Sequence, residues 1–319
     1  MNHNGRENSP LVSVVVPTYD RPEKLAEAVE SVLEQTYGNL ELIVVDDASP
    51  TPARTVLEGM DLGTLRWSCI RHDTNRGANA ARNSGIRESS GEFVAFLDDD
   101  DDWDPEAVEG HVALFRNGGA AVGVTILAQR YVRDGEVTTV KVPGVEGDAT
   151  PKLLEGKTAG TFSAIAVRRS LVDTVGLPDE RLPSWQDRDW LIRLSRHCRF
   201  AVDPRPRVTR RQGDYEQIGD GYEAKRDVSY PLLLEKYREL AAEYGLEREF
   251  VATMTRGLAG VALRRNSTRE ARGFAWQSVR LNPWDISAWL YLVLSLLDPR
   301  VYRSFVGLRR RAVRCLDRI

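Results

Sequence analysis

Phe93–Leu97 reads Phe-Val-Ala-Phe-Leu and runs directly into five consecutive aspartates, Asp98–Asp102. An apolar run of that length fits a buried parallel strand. Pro105 stands where a helix accepts its first residue, with Asp104 as the expected N-cap. A strand feeding a carboxylate cluster feeding a helix places the cluster at the carboxyl edge of an α/β sheet, the edge at which such sheets bind ligands. Adjacent carboxylates repel one another unless a cation or solvent relieves them. Oxygen ligands in a tight loop suit Mg²⁺ or Mn²⁺.

Three readings compete for this loop. One is a solvated acidic turn. A second is a calcium loop of the EF-hand type, with Asp98, Asp100, Asp102 and Glu109 as ligands, but Trp103 occupies the position where the sharp turn needs glycine. The third is an Asp-x-Asp site, Asp98 and Asp100, holding a divalent ion against a diphosphate. The apolar strand and the proline-started helix frame the loop sharply and favour the third.

The rest of the first half alternates strands with helices. Leu11–Val16 is a strand, and the turn Pro17–Pro22 leads into a helix to about Gln35 with Leu25, Val29, Val32 and Leu33 on its apolar face. Leu40–Val45 and Leu65–Arg71 are further strands, and the small residues of Ala78–Gly85 suit a helix packed tightly on the sheet. This spacing argues for a mostly parallel, right-handed sheet. No glycine follows the first strand in the pattern a dinucleotide-binding loop needs, which argues against NAD. A Walker loop is also absent, so a bound diphosphate would need its charge met by a metal. Arg76 and Arg82 either reach a phosphate or pair with the acidic loops. Beyond the aspartates, Ala120–Ala128 reads as a strand. Asp134-Gly135 is a hairpin turn between Gln129–Arg133 and Glu136–Val142.

Composition excludes several classes. Lys and Arg number 44 against 47 Asp and Glu, so the charge balance implies no nucleic-acid partner. Cys69, Cys198 and Cys315 are scattered and odd in number, which suits no disulfide framework and fits a reducing cytoplasm. Met1–Pro10 is polar, is expected to be disordered, and has no apolar core of a signal peptide. No stretch reaches the roughly 18 apolar residues of a membrane span.

Four segments together carry a resemblance: Val12–Tyr19 ending in Pro-Thr-Tyr, Glu41–Ser49 ending in Asp-Asp-Ala-Ser, Asn75-x-Gly77 with Ala81-Arg82-Asn83, and Phe96–Asp101. In this order and at this spacing, the chain resembles the family 2 glycosyltransferases of the GT-A fold. The resemblance implies that Pro17, Thr18, Tyr19 and Asp47 hold the nucleotide base and ribose, and that Arg76 and Arg82 belong to the nucleotide-sugar site. It implies Asp100 as chief metal ligand, with Asp98 and Asp99 on the ribose or in the metal shell. Asp20 departs from the family's usual Asn and adds negative charge near the donor.

The acceptor half extends from residue 131 to residue 222. Thr161–Val167 reads as a strand and Arg169–Val175 as a short helix. Gly176–Trp190 resembles the family's second signature, a loop ending in Glu-Asp-x-Asp at a helix N-terminus. Here Gln186 replaces the Glu, while Asp187 stands at the position of the catalytic base. Trp185, Gln186 and Asp189 are the expected acceptor-side residues. Asp187 and Asp189 also suit the first turn of a helix through its dipole. The family often carries a histidine near Val208–Gln212; none is there, and Arg210 and Arg211 are candidates to neutralise phosphates. Gln212–Tyr222 reads as a mobile loop.

From residue 223 the chain reads as helical, with Thr268–Leu281 and Trp284–Leu297 resembling one tetratricopeptide-like pair. Ile286–Leu297 is nearly all apolar; it is read as a buried helix followed by a basic face of Arg303, Arg309, Arg310, Arg311 and Arg314, or as an interfacial membrane dock. The expectation is therefore an α/β GT-A catalytic domain over residues 11–222 with a helical extension over 223–319. Its function would be inverting, Mn²⁺- or Mg²⁺-dependent transfer from a nucleotide-diphosphate sugar to a glycan or lipid-linked acceptor. It would work in the cytoplasm or peripherally on the inner face of the membrane. The rival is a non-catalytic sugar-nucleotide-binding or scaffold protein of the same fold.

Overall fold

A computed structural model describes residues 9–211 and 221–297. Residues 1–8, most of the Gln212–Tyr222 loop and the arginines from Arg303 to Arg314 lie outside them. The chain separates into two compact units. The first comprises Met1–Leu153, Lys157–Arg181 and Gln186–Asp214, the second Leu154–Gly156, Leu182–Trp185 and Tyr215–Ile319.

The first unit is a mixed α/β layer structure. Its strands are β1 (Val12–Thr18), β2 (Leu40–Asp46), β3 (Arg66–Arg71), β4 (Phe93–Phe96), β5 (Asp101–Trp103), β6 (Val122–Arg133), β7 (Glu136–Lys141), β8 (Ile165–Arg168) and β9 (Arg199–Arg211). Its helices are α1 (Pro22–Leu33), α2 (Ala53–Glu58), α3 (Ala78–Glu88), α4 (Ala107–Gly118), α5 (Thr150–Leu154), α6 (Ser170–Val175) and α7 (Gln186–Ser195). The strands form one sheet in the order β3-β2-β1-β4-β8-β6-β9-β5, with β7 paired on β6. β1, β2, β3 and β4 run parallel, as the alternation predicted, while β8 is antiparallel to both β4 and β6.

Every residue of β1 is buried, which explains its mostly apolar sequence: helices cover both faces of a parallel sheet. Register brings functional positions together. Thr18 pairs with Asp46 and Asp46 with Arg71, while Val15 pairs with Phe96, so β1, β2, β3 and β4 end along one edge. The Asp134-Gly135 hairpin forms as expected, with positive φ at both residues as a type I′ turn requires.

The stretch after β4 differs from the sequence expectation. Asp101 and Asp102 do not stay in a loop; with Trp103 they form β5, antiparallel to β9 in the register Asp101↔Arg210, Asp102↔Thr209, Trp103↔Val208. Helix α4 starts at Ala107, and its N-terminal flank is Glu106. Asp104 is no N-cap, because its side chain pairs with Arg130. Thr161–Val167 also differs: a 3₁₀ turn at Phe162–Ala164 precedes the short β8.

The second unit is helical: α8 (Tyr222–Ala224), a π-turn over Lys225–Ser229, α9 (Tyr230–Glu243), α10 (Glu247–Arg264), α11 (Thr268–Leu281) and α12 (Ile286–Leu296). Tyr222, Val261, Ala262, Leu263, Ala271 and Leu294 form its core cluster, with Phe274 and Tyr291 against it. The expected α11–α12 pair is present. The expected burial of Ile286–Leu297 is not: Ile286 is 83% exposed and Leu296 61%, while only Ala288, Leu294 and Ser295 of α12 are buried. Among the described residues no helix is long and apolar enough to cross a membrane.

The small-residue face of α3 has a measurable consequence. A Cβ at Gly85 would stand 2.4 Å from Val15 Cγ1 of the central strand. Gly85→Val should cost about 1–3 kcal/mol through overpacking. Urea unfolding of the two proteins checks this, and equal midpoints would show that α3 rides further from β1.

Candidate active site

The site is built where β1, β2 and β4 end. Asp46 is fully buried and organises the turn after β2: it accepts N–H bonds from Ser49 (2.8 Å) and Ala53 (3.0 Å) and pairs with Arg71. Burial alone would raise its pKa, but these bonds and Arg71 outweigh burial and lower it. Asp47, expected at the nucleotide, accepts N–H bonds from Arg76 (2.9 Å) and Gly77 (2.7 Å). Its Oδ1 also meets His72 Nδ1 at 2.7 Å, and His72 Nε2 meets Ser84 Oγ at 2.8 Å. Asp47 thereby holds the Arg76–Gly77 turn, where Gly77 supplies the positive φ that starts α3.

Asparagines of α3 hold a second loop. Asn79 donates to the Asp179 carbonyl at 2.7 Å, and Asn83 donates to the Pro178 carbonyl and to Glu180. Arg76 pairs with Glu180 at 3.2 Å rather than with the aspartates. The Asn75–Asn83 pattern therefore also fixes the loop that leads toward α7.

The five aspartates are met by four arginines, one of which is shared. Arg82, 3% exposed, pairs with Asp98 at 2.5 Å and lies 4.1 Å from the Phe162 ring. Its Nε and Nη1 are buried without a hydrogen-bond partner. Asp99 accepts from Thr18 Oγ1 at 2.7 Å and from Arg21 at 3.1 Å, so both Asp99 and Thr18 are engaged inside the fold. Arg21 also reaches Asp100 at 3.3 Å. Asp101 accepts from Ser163 Oγ at 2.5 Å and lies 3.4 Å from Arg210; Asp102 pairs with Arg211 at 2.7 Å. Arg210 and Arg211, candidates for phosphate binding, are thus partners of the β5 carboxylates. Pro17 lies within β1 against Val45, and Tyr19 is 46% exposed just beyond the strand.

Oxygen atoms of Asp98, Asp100 and Asp101 come within 4.8 Å of one another. The expected pair, Asp98 and Asp100, is joined by Asp101, which the Asp-x-Asp pattern does not include. Burial pushes Asp99 up to about 6 and Asp101 well above the ordinary carboxylate range, with Arg210 offsetting only part of the latter. Burial and the neighbouring Asp98 raise Asp100. Carboxylates whose charge is this costly form a hard-oxygen donor set that a divalent cation would relieve, so the residues present fit Mg²⁺ or Mn²⁺.

Asp187 lies in the first turn of α7, half-buried, and its Oδ1 accepts the Arg188 N–H at 2.8 Å. Asp189 is fully buried and pairs with Arg193 at 2.9 Å. Arg193 in turn donates to the carbonyls of Val175 and Leu177, so Asp189 is a strut and not a surface for an acceptor. Trp190 packs edge-on to Phe96 with ring centroids 5.6 Å apart, seating α7 on the strand that feeds the aspartates. Gln186 opens α7, whereas Trp185 has φ 59° and belongs to the helical unit, where Lys225 Nζ lies 5.0 Å from its ring.

Sequence reasoning missed Arg21, Asp101, Ser163 and His72. Asp101 stood in plain view inside the acidic run. Ser163 and His72 had no local signal, because their partners lie 62 and 25 residues away.

Residues 13–176, about half of the chain, match the family model described as Glycosyl transferase family 2. The Escherichia coli UDP-Glc:alpha-D-GlcNAc-diphosphoundecaprenol beta-1,3-glucosyltransferase WfgD is 38% identical over 105 residues, 33% of this chain and 40% of that protein. The chain spans about half the length of the curated relatives it matches. Among solved structures, Staphylococcus aureus TarS 1–349 matches with a TM-score of 0.60 at 18% identity, over 92% of this chain and 91% of that one. A further TarS structure holds UDP-GlcNAc. The mannosyltransferase PcManGT of Pyrobaculum calidifontis, in complex with GDP-Man and Mn²⁺, matches with a TM-score of 0.58 at 17% identity, over 90% and 86% of the two chains. These structural likenesses carry the GT-A fold.

The raised Asp99 gives a signed pH dependence. Its pKa moves from 3.8 in the unfolded chain to about 6 in the fold, so the folded state holds a proton the unfolded chain has released, and stability falls as pH rises through that window. In metal-free buffer, Asp99→Asn should gain on the wild type by about 2–3 kcal/mol between acid and neutral pH. Urea titrations at a series of pH values measure the difference; a flat difference would refute the burial of a costly carboxylate here.

Proposed function

The chain belongs to glycosyl transferase family 2, and from that premise we propose that it is an inverting, divalent-metal-dependent glycosyltransferase. It moves a sugar from a nucleotide-diphosphate sugar of the UDP-linked class to a hydroxyl of a lipid-linked or cell-surface glycan. The observation that carries this reading is the meeting of two unmet demands. Asp98, Asp100 and Asp101 present a desolvated oxygen cluster that calls for a cation, and Arg82, paired to Asp98, keeps two buried nitrogen donors without acceptors. A metal-bound diphosphate satisfies both at once.

Asp98, Asp100 and Asp101 would hold the ion, which when bound supplies Lewis-acid stabilisation of the departing diphosphate. Arg82, stacked on Phe162 and fixed by Asp98, would aim its Nε and Nη1 at the diphosphate oxygens. Asp47 would act at the nucleoside, largely by fixing the Arg76–Gly77 turn, with Thr18 and Tyr19 beside it. Thr18 does so while bonded to Asp99. On the other side of the sugar, Asp187 would take the proton of the acceptor hydroxyl as its oxygen forms a bond to the anomeric carbon and the bond to the diphosphate breaks. The dipole of α7 favours the ionised form that a base needs. One carboxylate base and one displaced diphosphate give a single displacement, hence inversion.

The relatives support the choice of donor and acceptor. WfgD is named for a UDP-sugar and a diphosphoundecaprenol acceptor, and TarS is seen with UDP-GlcNAc. PcManGT, with GDP-Man and Mn²⁺, keeps a guanosine donor in the test panel.

Nucleotide release from UDP-, GDP- and dTDP-sugars with Mn²⁺ should identify one donor class, and EDTA should abolish the release. Asp100→Asn should weaken donor binding while leaving the metal-free melting temperature equal or higher, since it removes a raised, desolvated carboxylate. Full turnover in EDTA would sink metal dependence.

Asp187→Asn should lower turnover on the order of 10²–10⁴-fold with donor affinity little changed. Near-normal turnover in this variant would remove Asp187 from the reaction, and Asp189 could not replace it because it is buried against Arg193.

A further inference from the structure

We propose that α12 is a docking surface for an anionic lipid membrane, lying in its interface without crossing it. The helix is firmly built. Asp285 caps it by accepting N–H bonds from Ser287 and Ala288, and Arg256 holds Asp285 at 2.9 Å. Its inner side, Ala288, Leu294 and Ser295, is consumed by packing in the helical unit. Its outer side is a second apolar stripe: Ile286, Trp289, Leu290, Val293, Leu296 and Leu297 recur at helical spacing and are all exposed. Trp284, just before the cap, is 91% exposed. No charged residue occurs from Ile286 to Leu297. A helix of a water-facing unit normally places polar side chains on that stripe.

The chemistry of the occupant follows from what borders the stripe. Tryptophan at the helix start is the side chain that favours the headgroup level of a bilayer. Directly after Leu297 the sequence carries seven arginines and two aspartates over residues 298–319. An apolar stripe continued by a cationic segment matches acyl chains bordered by anionic headgroups. A second copy of the chain would cover the apolar stripe equally well, and the oligomeric state tells the two occupants apart. Eleven helical residues are too few to span a bilayer, so the helix lies along the surface. The inference does not depend on the proposed reaction.

Flotation of the full chain with vesicles of phosphatidylcholine, or of phosphatidylcholine with phosphatidylglycerol, tests it. The wild type should float with the anionic vesicles at low salt and much less at high salt. Replacing Arg309, Arg310 and Arg311 by Gln should lower the low-salt partition on the order of a hundredfold. A triple variant Trp284→Ser, Ile286→Ser, Val293→Ser should lose flotation at either salt while its thermal midpoint stays at the wild-type value. A wild type that floats with neither vesicle overturns the proposal. A large fall in the midpoint of the serine variant also overturns it, because the stripe would then be covered by the chain itself. So does a wild-type dimer that the serine variant converts to monomer.

Discussion

Five carboxylates in a row can be folded into a site only if cations are brought to them, and the catalytic unit is arranged to provide these. Asp98 meets Arg82 of α3, Asp99 and Asp100 meet Arg21 of the turn after β1, and Asp101 and Asp102 meet Arg210 and Arg211 of β9. Asp104 meets Arg130 of β6. These arginines come from segments spread over some two hundred residues of sequence, so the acidic run cannot be seated until the sheet has closed around it. Desolvation still leaves Asp99, Asp100 and Asp101 with raised pKa values. Net repulsion survives at the point where Asp98, Asp100 and Asp101 converge, and that residual is what a metal ion would relieve.

The half of the fold that sequence reasoning recovers is the half whose signals are local. Apolar runs in β1, β2 and β4, the stripe of α1, the Asp134-Gly135 turn and the α11–α12 pair all follow from periodicity and turn chemistry within a short window. β5 and β9 do not. Aspartates disfavour strands, and β9 contains Pro204 and Pro206 among its arginines, so propensity argues against both. β9 forms along β6, which it pairs from Val122↔Arg199 to Val132↔Arg211, and β5 is then held on β9 as Asp101 and Asp102 meet Arg210 and Arg211, a long-range charge match that overrides local preference. The same match engages Arg210 and Arg211 at the β5 carboxylates, and Arg130 withdraws Asp104 from its expected cap.

The two aspartates of Asp187-Arg188-Asp189 show a different limit. In a helix, residues two apart point roughly 200° away from each other, so one faces the sheet and the other does not. The sequence shows two equivalent carboxylates in a first helical turn. The fold assigns Asp189 to Arg193, which grips the Val175 and Leu177 carbonyls, and so spends it on holding the preceding loop. Only the neighbouring Trp190, buried against Phe96, could have signalled which face was inward, since a large aromatic next to Asp189 puts that side of the helix against the core.

Arg82 ties these strands of argument together. A buried guanidinium with one satisfied corner and two nitrogens left without acceptors costs free energy, even packed on Phe162. Replacing it with an apolar residue would remove that cost but would leave Asp98 without its partner. Keeping it makes sense if the missing acceptors arrive with a ligand: the orphan donors and the strained carboxylates then become a single pre-paid recognition surface for an anion carrying its own cation. On this view the acidic cluster and Arg82 are opposite halves of one charge balance that the protein leaves open, and binding of a metal–diphosphate would be the event that closes it.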